Sequence, residues 1–238
     1  MYKRIILKLS GETLAPETMP EGSKNSVTFD ESRILRAADM IARLSDMGVQ
    51  VGVVMGGGNI WRGRFSEEMN AVNADQMGML ATIINALAVR EALARMGRKA
   101  TVFTAQEMTR FAELYRADRA DACLNAGEIV LLAGGKLIKK GTPAAALRAA
   151  ELRADAVFKG TTVDGVYDSD PRKNPNARLL SELTYQEALE KELKVMDSTA
   201  FRLCMEQKLP CIRVFNMDNL EKILAVARGE NIGTIVHA

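Results

Sequence analysis

Gly56, Gly57 and Gly58 close the apolar run Val51-Gly-Val-Val-Met55, and Arg62 follows four residues after the last of them. Consecutive glycines let a backbone turn tightly and approach a ligand closely. A helix beginning there would add an anion site from its N-terminal amides, and the planar fork of an arginine suits phosphate. The same residues would also serve as a plain turn between a buried strand and a helix. A second cluster runs from Lys159 to Pro171, where a strand ends in Lys159 and Thr161, Thr162, Asp164, Gly165, Tyr167 and Asp170 follow. Threonine, aspartate and tyrosine gathered after a strand could hold a purine and its ribose, or could be a decorated loop with an aromatic anchor. Lys8 closes a strand otherwise made of Ile and Leu and is followed by Leu9, Ser10 and Gly11. It either snorkels along apolar surface or reaches over the sheet edge to a transferring phosphate. Asp75 stands near the start of a long helix, where it favours the dipole or accepts from ribose hydroxyls.

The composition narrows the chemistry. The 238-residue chain has a single histidine, His237 beside the C-terminus. Ser-His-Asp, Cys-His and His-ligated metal mechanisms are therefore not expected. What is left is Lys, Arg, Asp, glycine backbone and a bound cation, the means by which phosphoryl transfer is catalysed through positioning and charge. Neither Gly-x4-Gly-Lys-Ser/Thr nor Gly-x-Gly-x-x-Gly occurs, which argues against P-loop kinases and the standard dinucleotide fold. A formal charge of +2 gives no reason to expect nucleic acid or membrane as partner. Cys123, Cys204 and Cys211 are an odd set without metal spacing, as in reduced cytosolic proteins. The start, Met1 to Lys8, reads as a strand rather than a signal peptide, and no apolar run approaches the roughly 20 residues of a membrane span. These features predict a cytoplasmic enzyme.

The elements that must position these residues alternate along the chain. Strands are predicted at 5–9, 49–55, 100–103, 128–133, 154–159, 211–215 and 233–237. Helices are predicted from a capping box at Thr28 to Glu31 through Ile34, Ala37, Ile41 and Leu44, and at 73–96, 143–153, 184–191, 197–208 and 219–228. Residues 16–27 read as a loop. Helix 73–96 is apolar almost all round, which predicts deep burial or a subunit contact. Alternating strands and helices predict an α/β fold, doubly wound, with a mainly parallel central sheet covered on both faces. Ligands on such sheets sit at the carboxyl ends of strands. Lys8 to Gly11, Gly56 to Gly58, Gly134-Gly135 and Lys159 to Thr161 all fall there.

Taken jointly, Lys8 to Glu12, Gly56 to Gly63, Asn73 to Asn85, Ala144 to Glu151, Lys159 to Pro171, Leu193 to Asp197 and Gly229 to Val236 resemble the bacterial uridylate (UMP) kinases of the amino-acid kinase family. The likeness covers nearly the whole chain in the family's order. It implies one amino-acid kinase domain over 1–238, its acceptor-binding part roughly 1–155 and its ATP-binding part roughly 156–238. It also implies a homohexamer, GTP and UTP as effectors, and transfer of the ATP γ-phosphate to UMP with Mg²⁺ in pyrimidine nucleotide synthesis. Residue by residue it assigns Lys8, Leu9, Ser10 and Gly11 to the ATP phosphates, with Lys8 and Arg62 catalytic. Gly58 and Arg62 also belong to the ATP site, as do Thr161, Tyr167 and Asp170 for the nucleoside. Gly57 and Asp75, with Thr142, fall to UMP. No protein metal ligand is implied. The chain departs from the family after Gly135, where Lys136 to Pro143 replaces a longer loop containing Asn, an aromatic pair and Asp. Lys136, Lys139 and Lys140 would then either replace hydrogen bonds by charge contacts or form a solvated surface. Thr162 also stands where many relatives have lysine. The alternative these departures raise is a nucleotide-binding relative without catalysis.

Overall fold

The computed structural model describes residues 1–16, 29–61, 69–135, 142–191, 193, 198–217 and 219–238. Most of the loop expected at 16–27, the capping residue Thr28, Arg62 and the departing loop 136–141 lie outside the described residues, as does the side chain of Thr142. The chain forms two compact units.

The first unit comprises Leu9–Asp46 and Val51–Leu137. Its strands are β2 (Gln50–Met55), β3 (Ala100–Thr104), β4 (Glu113–Leu114) and β5 (Ile129–Ala133). They lie in the order β4-β3-β5-β2 and all pair in parallel, with Val53 opposite Leu131 and Phe103 opposite Leu132. The unbroken apolar runs of β2 and β5 are those of strands covered on both faces, and every residue of β5 is buried. Helix α1 (Glu31–Asp46) buries Ala37, Ala38, Ile41 and Leu44, the stripe expected from its spacing. Its first turn is capped by Asp30, whose carboxylate accepts from the backbone N–H of Ser32 at 2.9 Å and Arg33 at 3.3 Å.

Helix α2 (Ala71–Arg95) corrects two expectations. It is not buried all round, since Val72, Met77, Leu80 and Ile84 are exposed. By length and composition it could also cross a membrane, although half of its apolar window is buried inside the protein. Its buried side holds two polar residues, Thr82 and Asn85. Helix α3 (Ala117–Asn125), which the pattern reading left unassigned, buries Ala120, Cys123 and Leu124. Short length and an Asp/Arg-rich sequence hide its apolar face.

The second unit comprises Met1–Lys8, Met47–Gln50 and Ile138–Ala238. Here β1 (Arg4–Leu9), β6 (Ala156–Thr161), β10 (Cys211–Asn216), β11 (Thr234–His237) and β9 (Glu182–Thr184) follow one another in that order. Only β10 against β11 is antiparallel. A separate antiparallel ribbon joins β7 (Val166–Tyr167) to β8 (Leu179–Leu180). The helices are α4 (Thr142–Glu151), α5 (Tyr185–Glu190), α6 (Ser198–Glu206) and α7 (Leu220–Arg228). A full capping box formed by Thr184 and Glu187 starts α5. The core stacks Tyr2 on Phe158 and Phe158 on Phe215 edge to face, with centroids 5.4 and 5.5 Å apart. Arg213 is only 3% exposed. Its guanidinium donates to the Tyr2 hydroxyl at 3.1 Å and to the carbonyls of Glu230 at 2.8 Å and Ile232 at 3.0 Å, tying down the link between α7 and β11. Both units are thus mainly parallel sheet flanked by helices.

Candidate active site

In the first unit the two glycine segments abut backbone to backbone. The N–H of Gly56 donates to the carbonyl of Leu9 at 2.7 Å. A Cβ on Gly56 would lie 2.8 Å from the nitrogen of Gly11, and one on Gly11 would lie 2.7 Å from the nitrogen of Gly58. Only glycine permits this approach. Gly11 opens a short 3-10 helix, Gly11–Leu14. The Ser10 hydroxyl donates to the carboxylate of Glu12, whose Oε1 would be 2.8 Å from a Cβ on Gly58.

The residues after Gly58 do not start the long helix directly. They make a single turn, in which the N–H groups of Ile60 and Trp61 donate to the carbonyl of Gly57 at 3.1 and 3.0 Å. The Trp61 indole then donates to the carbonyl of Ala74 at 3.0 Å, fastening that turn beside the half-buried Asp75 in the first turns of α2.

Two further ties come from α2. Asn85, fully buried, donates to the carbonyl of Gly56 at 2.6 Å and to Asn59 Oδ1 at 2.8 Å, and accepts from Asn59 Nδ2 at 3.1 Å. The Thr82 hydroxyl accepts from the N–H of Gly134 at 2.8 Å and donates to the carbonyl of Met79 at 2.7 Å. Gly134 stands at the end of β5 with φ +65°, in the left-handed region. Gly135 beside it borders open space.

In the second unit the register sets Lys8 opposite Lys159 at the carboxyl ends of two adjacent parallel strands. Paired positions in a sheet point to the same face, so two half-buried ammonium groups gather positive charge there. Thr161, opposite Asn216, donates to the carbonyl of Val163 at 2.5 Å. Gly160 lies against the Met217 side chain, where a Cβ would collide with it.

Tyr167 sits on the β7–β8 ribbon, half-exposed, and Asp170 in the turn beyond it is exposed. The Asp170 carboxylate accepts from the N–H of Arg172 at 3.0 Å. The Arg172 guanidinium in turn donates to the hydroxyl of Thr162. The ribbon hangs from β11 through Thr234, a buried residue whose hydroxyl accepts from the N–H of Val166 at 2.8 Å and donates to the carbonyl of Leu180 at 2.5 Å.

The first unit therefore brings Leu9, Ser10, Gly11, Gly57, Gly58 and Asp75 into one neighbourhood. The second brings together Lys8 and Lys159, and holds Thr161, Tyr167 and Asp170 on and beside its ribbon. Arg62 lies outside the described residues, and Thr142 is described only as the first residue of α4. The sequence reading missed Asn59, Thr82, Asn85 and Thr234. Thr82 and Asn85 had a signal, two polar residues inside an apolar helix pattern; Thr234 had none. Among the described residues no cluster of His, Cys, Asp or Glu could hold a metal ion. All three cysteines are buried and reduced, with the Cys204 thiol pushed up to about 12 by burial. Lysines, hydroxyls and close glycine backbone suit the binding and transfer of phosphate better than any reaction needing a protein nucleophile.

Comparison with known proteins gives the same picture. Residues 3–216 match the amino acid kinase family. A uridylate kinase of Bacteroides thetaiotaomicron is 44% identical, the match covering 99% of this chain and 98% of that one. Among solved structures, the UMP kinase of Bacillus anthracis superposes with a TM-score of 0.91 at 34% identity, over 99% of this chain and 96% of that one. The UMP kinase of Ureaplasma parvum gives 0.89 at 34% identity over the full length of both. A mainly parallel sheet flanked by helices, glycine turns at strand ends and this full-length likeness together mean that the chain belongs to the amino acid kinase family.

Proposed function

We propose that this protein is a uridylate kinase, transferring the γ-phosphate of ATP to UMP to give UDP and ADP. The observation that carries the reading is the abutment of Ser10-Gly11 on Gly56 to Asn59, in a chain alike over its full length to proteins named uridylate kinase. In the reaction a UMP phosphate oxygen attacks the γ-phosphorus, the bond to the β,γ-bridging oxygen breaks, and ADP leaves with the electron pair. Lys8 and Arg62 stabilise the transferring group. Leu9, Ser10, Gly11 and Gly58 line the ATP phosphates. Thr161, Tyr167 and Asp170 hold the ATP nucleoside; Gly57, Asp75 and Thr142 take UMP. In this reading the first unit is chiefly the acceptor part and the second the donor part. Mg²⁺ suits this site as a passenger on the triphosphate, since it is commonly held by substrate phosphates and few side chains; bound there, it neutralises phosphate charge.

The exposed stripe of Met77, Leu80 and Ile84 on α2 supports self-association, which we read as a homohexamer. GTP and UTP as effectors, a cytoplasmic location and a place in pyrimidine nucleotide synthesis complete the proposal. The test is ADP release in a coupled assay with ATP, Mg²⁺ and a panel of nucleoside monophosphates. Turnover with UMP alone is expected. No turnover with any acceptor, alongside retained ATP binding, would refute the reading and point to a relative that lost catalysis with the loop after Gly135.

A further inference from the structure

We propose that Thr82 and Asn85 are positioning residues that set the acceptor nucleotide's site by fixing two glycine turns to one rigid helix. A buried polar side chain costs stability unless it is hydrogen-bonded. In the middle of α2, leucine or alanine would pack without that cost. Thr82 and Asn85 are 2% and 0% exposed, and each bonds to a segment remote in sequence. Asn85 holds Gly56 and Asn59, and Thr82 holds Gly134. Three residues apart, they lie on the same side of the helix. Their spacing therefore sets how the turn after β2 stands to the turn after β5.

The rest of each turn agrees with this reading. Gly57 packs on α2 so closely that a Cβ would lie 2.9 Å from Ala81 Cβ and 3.1 Å from the carbonyl of Gly78. A Cβ on Gly134 would meet Ile83 Cδ1 and Thr104 Cβ at 3.2 Å each. The helix face touches both turns, and its two polar side chains choose the height at which each is held. Neither residue need touch a nucleotide; both act through the strand-end backbone they hold.

The inference rests on the uridylate kinase reading for the identity of the acceptor, and its experiment separates the two. Steady-state kinetics for UMP and ATP are compared in the wild type, Thr82→Val, Thr82→Ser and Asn85→Leu. Thr82→Val keeps the shape and removes the hydroxyl. It should raise the KM for UMP by about tenfold, the scale of one buried N–H left unpaired, with the KM for ATP within about twofold. Thr82→Ser should restore the wild-type value, while Asn85→Leu, which loosens the turn carrying both Gly57 and Gly58, should raise both KM values. Equal rises in both KM values for Thr82→Val, or a lowered melting temperature with neither KM moved in either variant, would overturn the proposal.

Amide hydrogen exchange on the same proteins reads the turns themselves. Thr82→Val should speed exchange at Gly134 and leave Gly56 to Asn59 unchanged, and Asn85→Leu should do the reverse. Wild-type protein inactive with UMP would sink the function while exchange still decides the positioning. Exchange at Gly134 equal to wild type in Thr82→Val would sink the positioning whatever the activity.

Discussion

The glycine turns of the first unit and the β7–β8 ribbon of the second are held in opposite ways. The turns are locked twice. Their backbones pack against each other, with would-be Cβ contacts of 2.7 to 2.8 Å between Gly11, Gly56 and Gly58, and α2 grips them through buried Asn85 and Thr82. The ribbon consists of two strands of two residues each. It meets β11 through the Thr234 hydroxyl, through the close seat of Gly165, whose Cβ would lie 2.6 Å from that same oxygen, and just past β8 through the N–H of Ile235, which donates to the carbonyl of Ser181 at 2.9 Å. Segments with few buried contacts occupy the low-stability end of a protein. The contrast teaches that the glycine turns are fixed by packing and hydrogen bonds together, while the ribbon rests on fewer ties.

The largest expected effect comes from striking the locked side. In Gly57→Ala the new methyl meets Ala81 Cβ at 2.9 Å and the backbone nitrogen of Thr82 at 3.1 Å. Helix backbone cannot give way, so the turn must move. Overpacking of this kind costs about 1–3 kcal/mol, and a misplacement of about 1 Å near the chemistry costs on the order of a hundredfold in rate. Turnover is expected to fall by that order, with the melting temperature lowered. Near-normal turnover would show that the turns are softer than their packing implies, and the contrast would fail.

Thr234→Val strikes the hinge of the other side and should do less. The N–H of Val166 loses its acceptor and the carbonyl of Leu180 its donor. Leaving a buried group unpaired costs about 1–3 kcal/mol, and here the loss is confined to the ribbon that carries Tyr167. The KM for ATP is expected to rise by about tenfold, while the KM for UMP stays within about twofold. Hydrogen exchange should quicken at Val166 and leave β10 untouched. A rise in the KM for UMP equal to that for ATP would mean that Thr234 supports the whole unit rather than the ribbon, and would erase the distinction.

Much of this was legible from residue pattern. The alternating strands and helices, the strand-end positions of Lys8, Gly56 and Lys159, and the start of the long helix near Asp75 all follow from periodicity and glycine chemistry. The ribbon did not, because strands of two residues carry no alternation to read and its anchor, Thr234, lies over 50 residues away in sequence. Helix α2 was read only in part for a related reason. Its apolar residues surround the axis, so pattern alone could not say that Met77, Leu80 and Ile84 face outward. Thr82 and Asn85 were visible as letters, but their roles depend on the long-range pairing with Gly134 and Gly56.

The smallest effect sharpens the comparison by asking what orders the ribbon beyond Thr234. At its turn, Asp168 and Arg178 exchange two bonds: the N–H of Asp168 donates to the carbonyl of Arg178 at 3.1 Å, and the N–H of Arg178 donates to Asp168 Oδ1 at 3.0 Å. The second bond favours the carboxylate and, with the Ser169 hydroxyl, holds the Asp168 pKa below its ordinary 3.8. A carboxyl with a depressed folded pKa contributes order that is complete above its unfolded value and is lost as the pH falls through the folded one. That contribution is therefore complete at neutral pH, and in acid the Arg178 amide resonance should shift with a midpoint below 3.8. Because the group is exposed, Asp168→Asn should change the KM for ATP by no more than about threefold. A change as large as that of Thr234→Val would locate the ribbon's support in its turn rather than at β11. A midpoint at or above the ordinary value would remove the Arg178 bond from the account and leave Thr234 as the tie that distinguishes this ribbon from the doubly locked glycine turns.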